Sequence, residues 1–485
     1  MKKFWLVLLS LGLIMAFSAS AFAVDVKISG SYYAAGMYQN KTTFIKNGYY
    51  LTPTGVDNNG QVIYGQVPSD GDPSTAFYYQ RLRVQTDFIV SPCLKLITRF
   101  NAMERIWGGQ RSAPGGPTDT QSAATRAENQ NIGFDWAYVE YTSPIGMFMV
   151  GYQDDGGWGT IFADSSVPQG IITWAVQQNG WTAFLSALKI NENSKTAITT
   201  ANMTDNDTNK YEGGALYEWK GGQAGLLGVY YRDASKRQPN PAALPLDTGI
   251  TGNVFVLEPY AIVQIGPVKI QAEVDYAWGN IKVDQINVLT AGKDIKVDNL
   301  AGWIDATVDL KMFYFGGSTA YVAGNDWSKS DVIKGGFLTG GMDWNPTLLL
   351  FNNERQYWAG AIPGNNMTST SMNFVSQQFG LNDTGMYNAW FFQGRVGVRP
   401  IDKLDIEASV SYAVADSKTL PGTPDAVSNA YGTEIDLVGT YKISNNLKYM
   451  AGFGYLFTGD YFKGYDPTTE VRDNYMLINK LTLTF

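Results

Sequence analysis

The sequence predicts an all-β fold, a single transmembrane antiparallel β-barrel of about eighteen strands, and three observations predict it. Segments with a two-residue alternation of apolar and polar side chains recur from Val24 to the last residue, Phe485. The connections between them alternate strictly between short turns and long polar stretches, which puts every turn at one end of the sheet and every loop at the other. Aromatics make up 14% of the chain, with 29 Tyr, and Gly contributes 52 residues, a composition suited to short strands with one greasy face and aromatic belts.

Residues 1–23 read as a cleaved export leader. Lys2 and Lys3 supply the positive start, residues 4–17 the apolar run, and Ser20-Ala21-Phe22-Ala23 the small-x-small cleavage site. No other apolar run reaches the ~18–20 residues of a spanning helix. The exported chain, residues 24–485, is then one barrel domain.

Its first strand sets Val24, Val26, Ile28 and Tyr32 against Asp25, Lys27, Ser29 and Ser31. A Gly-, Asn-, Pro- and Asp-rich stretch, 40–76, reads as a loop. The next hairpin alternates Leu82, Val84, Thr86 and Phe88 with Arg81, Arg83, Gln85 and Asp87, turns at Ser91-Pro92-Cys93-Leu94, and continues with Ile97, Arg99, Asn101 and Arg105 on its polar side. The pattern repeats through strands at 24–38, 77–90, 95–106, 133–142, 147–153, 171–178, 181–190, 211–219, 224–233, 254–264, 269–279, 300–310, 312–323, 387–399, 404–415, 431–443, 448–458 and 474–485. An even count places both termini on the turn side. In the last strand Tyr475, Leu477, Leu481, Leu483 and Phe485 share one face with the single break Asn479, and it must pair with the first strand, because an open edge in lipid leaves orphan amides that cost several kcal/mol each.

Composition also excludes functions. Without Lys2 and Lys3, 34 of the 36 basic residues face 44 acidic ones, a net charge of −10, which argues against a nucleic-acid partner. The chain has no histidine, so no Ser-His or Asp-His catalytic pair and no His-ligated metal or haem is expected. Its one cysteine, Cys93, forms no intrachain disulfide, and no CxxCH is present. No enzyme activity, metal or cofactor is expected.

In a membrane barrel, strand charges must face the lumen, since a Lys or Arg at the lipid midplane costs about 2–4 kcal/mol. The expected pore-lining basic residues are Arg81, Arg83, Arg99, Arg105, Arg232 and Arg395. The expected acidic ones are Glu273, Asp275, Asp305, Asp309, Glu434 and Asp436, with Lys269, Asp405 and Glu407 as further candidates. Strands 2–3 and 11–12 lie on opposite walls of an eighteen-strand ring, so a basic wall facing an acidic wall would create a transverse field. The plainer alternative is that these charges are the solvated lining of any water-filled barrel. Residues 324–386 carry Phe337, Trp344, Leu348, Leu349, Leu350, Phe351, Tyr357 and Trp358, too apolar for an exposed loop. Part of this stretch is expected to fold into the barrel and narrow it; the alternative is one more hairpin. Tyr276, Trp278, Tyr412, Tyr441, Tyr449 and Trp219 sit at strand ends, as interfacial belts do.

The final strand, ending in an aromatic carboxylate, resembles the closing strand of a Gram-negative outer-membrane barrel, which implies that barrel-insertion machinery reads it at Phe485. The stretch YGTEIDLVGTYKISNNLKYMAGFGYLFTGDYFKG, 431–464, resembles the C-terminal signature of the alginate export porins. A second stretch, 134–159, with Asp135-Trp136-Ala137-Tyr138-Val139-Glu140 and Val150-Gly151-Tyr152, is similar. Together they cover about an eighth of the chain. The resemblance implies an eighteen-stranded outer-membrane channel with an arginine-rich lumen passing an anionic polysaccharide, with Glu434 and Asp436 as pore-facing structural acids. The acids among the lining residues depart from that pattern. The expected function is a porin in outer-membrane lipid, passing small polar or charged solutes by diffusion. Export of an acidic polysaccharide and a barrel sheath around an electron-transfer cytochrome are the alternatives.

Overall fold

The computed structural model describes residues 24–46, 49–56, 62–68, 74–108, 132–155, 157–193, 206–235, 250–283, 294–329, 331–359, 385–419 and 424–485. The leader, 1–23, lies outside the described residues. Eighteen antiparallel strands form one closed ring. They are β1 (Asp25–Gln39), β2 (Thr75–Ser91), β3 (Leu94–Ile106), β4 (Ile132–Ser143), β5 (Gly146–Asp155), β6 (Val167–Gln178), β7 (Trp181–Asn191), β8 (Thr208–Trp219) and β9 (Gly222–Asp233). The second half comprises β10 (Ile250–Ile265), β11 (Val268–Val283), β12 (Ile295–Asp309), β13 (Phe313–Val322), β14 (Ala389–Ile401), β15 (Leu404–Ala415), β16 (Ala430–Lys442), β17 (Leu447–Thr458) and β18 (Asn474–Thr484).

Each strand pairs with its sequence neighbours, and β1 closes the ring on β18 from Ser31↔Thr484 to Gln39↔Met476. Beyond that ladder, Gly30 and Phe485 exchange both backbone hydrogen bonds, at 2.8 and 3.0 Å. Gly30 is required there. A Cβ would meet the Arg83 carbonyl at 2.4 Å and the Phe485 ring at 2.8 Å. Eight short turns lie at one end and nine longer connections at the other. The tightest turn, Asn179–Gly180, has φ of 51° and 84°, the two positive values a type I′ hairpin needs.

The outer surface explains why the ring holds together in lipid. Ile172, Leu185, Leu226, Ile304, Val396 and Val410 point outward and are 48–60% exposed. A soluble protein does not leave such a continuous apolar band uncovered. Aromatic girdles bound it. At the loop end Tyr211, Tyr230, Phe255, Trp278 and Tyr276 form a stacked row, with neighbouring ring centroids 4.8–6.2 Å apart. At the turn end Trp181, Tyr217 and Trp219 form a shorter row, with centroids 4.9 and 6.1 Å apart. Tyr211 and Trp219 are eight residues apart on β8, roughly 26 Å along a strand, or about 20 Å of height at a tilt near 40°, close to the ~25 Å apolar band of outer-membrane barrels.

Several strands run further toward the loops than their sequence alternation indicates. β10 begins at Ile250, β11 ends at Val283 and β12 begins at Ile295. Above the girdle the outward face meets water while Ile281, Ile295 and Val297 stay buried inside, so Asn280, Lys282, Lys296 and Asp298 read as loop although they stay in the ladder. Within the stretch 40–76, read as loop, Ile45–Lys46 pairs with Glu470–Val471, and Tyr49–Val56 forms a separate hairpin with Val62–Pro68.

Candidate functional site

The lumen is partly filled by the chain's own connections. From the β13–β14 connection, Val332–Ile333 pairs in parallel with Lys296 and Val297 of β12. The backbone N–H groups of Phe337 and Leu338 then donate to Asn299 Oδ1 at 3.0 and 2.7 Å. Those of Leu349 and Leu350 donate to the Glu434 carboxylate on β16 at 2.6 and 2.7 Å. A short helix follows, α1 (Asn353–Ala359), whose start is capped by Asn352 Oδ1 accepting the Arg355 N–H at 2.7 Å. Trp358 of α1 stacks on Tyr79 at 4.4 Å, Tyr357 donates to Glu104 Oε1 at 2.9 Å, and Glu354 pairs with Lys480 of β18. Burial pulls the Arg355 guanidinium down to about 10, against the opposing pull of the Glu434 charge. Trp344, Leu349, Leu350, Phe351 and Trp358 all belong to one buried cluster with the inner wall. Among the described residues, apart from that two-residue parallel pairing, this connection adds no strand to the barrel sheet.

A second inward segment, 157–166 between β5 and β6, was not legible in the sequence. Trp158 packs on Tyr260 and Phe184 at 5.2 and 5.7 Å, and its Nε1–H donates to the Glu258 carbonyl at 2.9 Å. The Thr160 N–H and hydroxyl both donate to Glu273 Oε2, at 2.7 and 2.6 Å. Gly159 lets this happen. Its φ is +77°, and a Cβ would lie 2.8 Å from Glu273 Oε2 and 2.9 Å from Tyr260 Cγ. Ser166 and Asp343, joined at 2.7 Å between side chains, tie the two inner segments together.

Nine of the twelve expected lining residues lie on the interior face away from the rims. Arg99 forms a bidentate pair with Asp135, at 2.8 and 3.1 Å, and its guanidinium lies 3.4 Å from the centre of the Trp136 ring. Arg83 donates to Asn101 Oδ1 at 2.8 Å and lies 3.7 Å from Asp135. Arg81 lies 3.5 Å from Glu104. Arg395 is bidentate on Asp305, at 2.6 and 2.8 Å. Glu273, Asp275, Glu434 and Asp436 are buried on the inner face. Asp309 lies at the turn-end rim, exposed and paired with Arg399 at 2.9 Å.

Two positions are corrections. Arg105 does not face the lumen. The ladder slips between Gln80↔Arg105 and Leu82↔Ala102, and Met103 takes a φ of 51°. This bulge reverses the alternation, so Glu104 turns inward and Arg105 joins Gln80 on the outer face. Arg232 is also outward, two residues beyond the girdle residue Tyr230, while Tyr231 and Asp233 are buried inside. Both sit at the loop end, where the cost of an outward charge falls to about 0–1 kcal/mol. The rule that charge means lumen holds only between the girdles. A bulge also explains Asp135. With Arg99↔Trp136 followed by Phe100↔Phe134, Asp135 is the extra residue, and it and Trp136 both reach the interior.

Between the inner segments and the wall from β5 to β11 lies a cavity of about 990 Å³. Among the described residues it is lined by seven carboxyl side chains, Asp154, Asp155, Asp164, Glu212, Glu258, Glu273 and Asp275, and one basic side chain, Lys210. Lys210 is held between Asp155 at 2.8 Å and Glu212 at 2.5 Å. Glu258 and Asp275 face each other: the ladder runs Leu257↔Tyr276 and resumes at Tyr260↔Glu273, which sets them opposite where Pro259 interrupts the bonding. Glu212 and Glu258 were readable from strand alternation. Asp164 was not, since nothing in its loop marks it as inward.

Fold and interior define a membrane-type β-barrel with an apolar outside and a charged, partly filled inside. No family model matches the sequence, and no curated protein does, so the likeness to alginate export porins rests on the motif residues alone. Among solved structures the chain is similar to OpdQ of Pseudomonas aeruginosa, with 12% identity and a TM-score of 0.44, over 94% of this chain and 98% of that one. It is similar to the outer membrane protein OpdK of Pseudomonas aeruginosa, with 10% identity and a TM-score of 0.46, over 95% and 99%. It is also similar to the outer membrane channel DcaP of Acinetobacter baumannii, with 12% identity and a TM-score of 0.38, over 96% and 99%.

Proposed function

We propose that this chain is an outer-membrane porin through which small polar or charged solutes diffuse. The observation that carries the reading is the sorting of side chains on one closed ring: apolar and girdled outside, charged and cavity-bearing inside. A barrel of this size encloses more space than its own wall side chains fill. The described inner segments then set how wide the passage is. Residues 1–23 would direct export, and β18 with the following Phe485 would be read by the insertion machinery. Passage of an anionic polysaccharide is less well supported, because the arginines of β2 and β3 already face carboxylates and the cavity on the β5 to β11 wall is acidic. A sheath around a cytochrome would need the space that α1 and its flanking segment occupy.

Conductance across a planar lipid bilayer tests the reading. Purified full-length protein is expected to give discrete, ohmic current steps. Correctly folded, inserted protein that gives none would overturn it.

A further inference from the structure

We propose that the acid-lined cavity is a binding station for small organic cations carrying ammonium or guanidinium groups. The inference rests on the channel reading and names the solute class of the same lumen.

The seven carboxyl groups face a single lysine among the described lining residues, and that lysine is already committed to Asp155 and Glu212. An anion entering the cavity would find no free cation there among the described residues. Asp275 is 1% exposed, lines the cavity, and has no hydrogen-bond partner at either carboxylate oxygen. Glu258 stands directly opposite it, an arrangement that like charges disfavour unless a cation lies between or beside them. A buried, unpartnered carboxylate is costly, and a donor-rich cation would relieve the cost.

Shape and lining add the rest. Among the described residues no three of the acids converge as a metal ion requires. Their spread along the wall suits a longer molecule with separated donors. Trp158, Tyr231, Phe337 and Tyr357 line the same space, aromatic side chains of the kind that attract cations, and Tyr231 already carries Lys210 over its ring. The volume of about 990 Å³ is at the upper end for small-molecule sites.

The test uses full-length protein in planar bilayers, with spermidine, putrescine and succinate added in turn to potassium chloride. Spermidine and putrescine are expected to interrupt the current in a concentration-dependent way, and succinate is not. The Asp275→Asn, Glu258→Gln double variant is expected to weaken the interruption at least about tenfold, the size of losing one charge-assisted contact. Both changes are near-isosteric and remove like charges, so the barrel should assemble; heat-shifted electrophoretic mobility checks that it has. Channels that open but respond equally to spermidine and succinate would overturn the cation site and leave the porin reading standing. Interruption that the double variant leaves unchanged would also overturn the site, because the cation would then bind elsewhere. Absence of any current would strike the porin reading itself.

Discussion

Two walls of the same lumen carry charge in opposite ways. On β2 to β4 every interior arginine described has a carboxylate within reach: Arg99 and Arg83 share Asp135, and Arg81 has Glu104. On the wall from β10 to β11, Glu258 and Asp275 face each other with no cation between them, and Glu273 is satisfied by an inward loop's Thr160 instead of a basic side chain. A count of arginines and acids would call the first wall basic and the second acidic. Locally, the first is paired and close to neutral, and the second holds Asp275, whose carboxyl group has no hydrogen-bond partner. The field a solute meets depends on which charges lack partners, more than on how many there are.

This contrast predicts opposite responses to removing one charge. Arg99→Ala should be the most damaging change, because it leaves Asp135 buried in the wall without its bidentate partner. Breaking such a pair costs about 3–5 kcal/mol. The measure is the urea midpoint of refolded protein in liposomes, and most of the loss should return in the Arg99→Ala, Asp135→Ala double variant. A single variant as stable as the parent would mean that the arginine wall is not held by its pairs. Asp275→Asn should do the reverse. Removing the unpartnered member of an opposed carboxyl pair should raise stability by about 1 kcal/mol. A clear loss would show that Asp275 has a structural partner, and would erase the distinction between the walls.

How much of this was legible depended on the physics at each position. Strand number, order and closure could be read because a one-residue slip would move a whole apolar face into water, so the alternation is enforced from Val24 to Phe485. The aromatic content of 324–386 likewise marked a stretch that needs cover. Bulges were invisible. Nothing in the sequence around Met103 or Asp135 announces an extra residue, yet each reverses which side chains reach the lumen, and this misplaced Arg105. Arg232 was misplaced for another reason, since alternation alone does not say where the lipid ends. The inward loop carrying Trp158, Thr160 and Asp164 was hidden because a Gly- and Asp-rich loop looks the same whether it turns out or in. Its partner Glu273 gave the only hint, as an acid needing donors.

A smaller effect concerns that loop. Burial pushes the Asp164 carboxyl up to about 8, opposed by the Trp158 N–H it accepts and reinforced by the nearby charges of Asp343, Asp154 and Glu258. The folded protein therefore holds this proton more tightly than the unfolded chain, whose value lies near 3.8. The stability that protonation contributes is fully present below about pH 4 and is lost as pH rises through about 8. The urea midpoint should fall between pH 6 and pH 9, and Asp164→Asn should fall less. Parallel pH profiles for the two proteins would place the titration elsewhere.

The most direct test of the account labels neighbouring residues from water. Ile172 and Leu185 lie on the apolar outer face, while Thr173 and Ser186, one residue away, meet inside at 2.9 Å on the cavity wall. With Cys93→Ser removing the native thiol, a membrane-impermeant maleimide should label Thr173→Cys and Ser186→Cys in liposomes and spare Ile172→Cys and Leu185→Cys. Labelling of the outer pair, with the inner pair untouched, would contradict a lipid-facing exterior around a watery lumen.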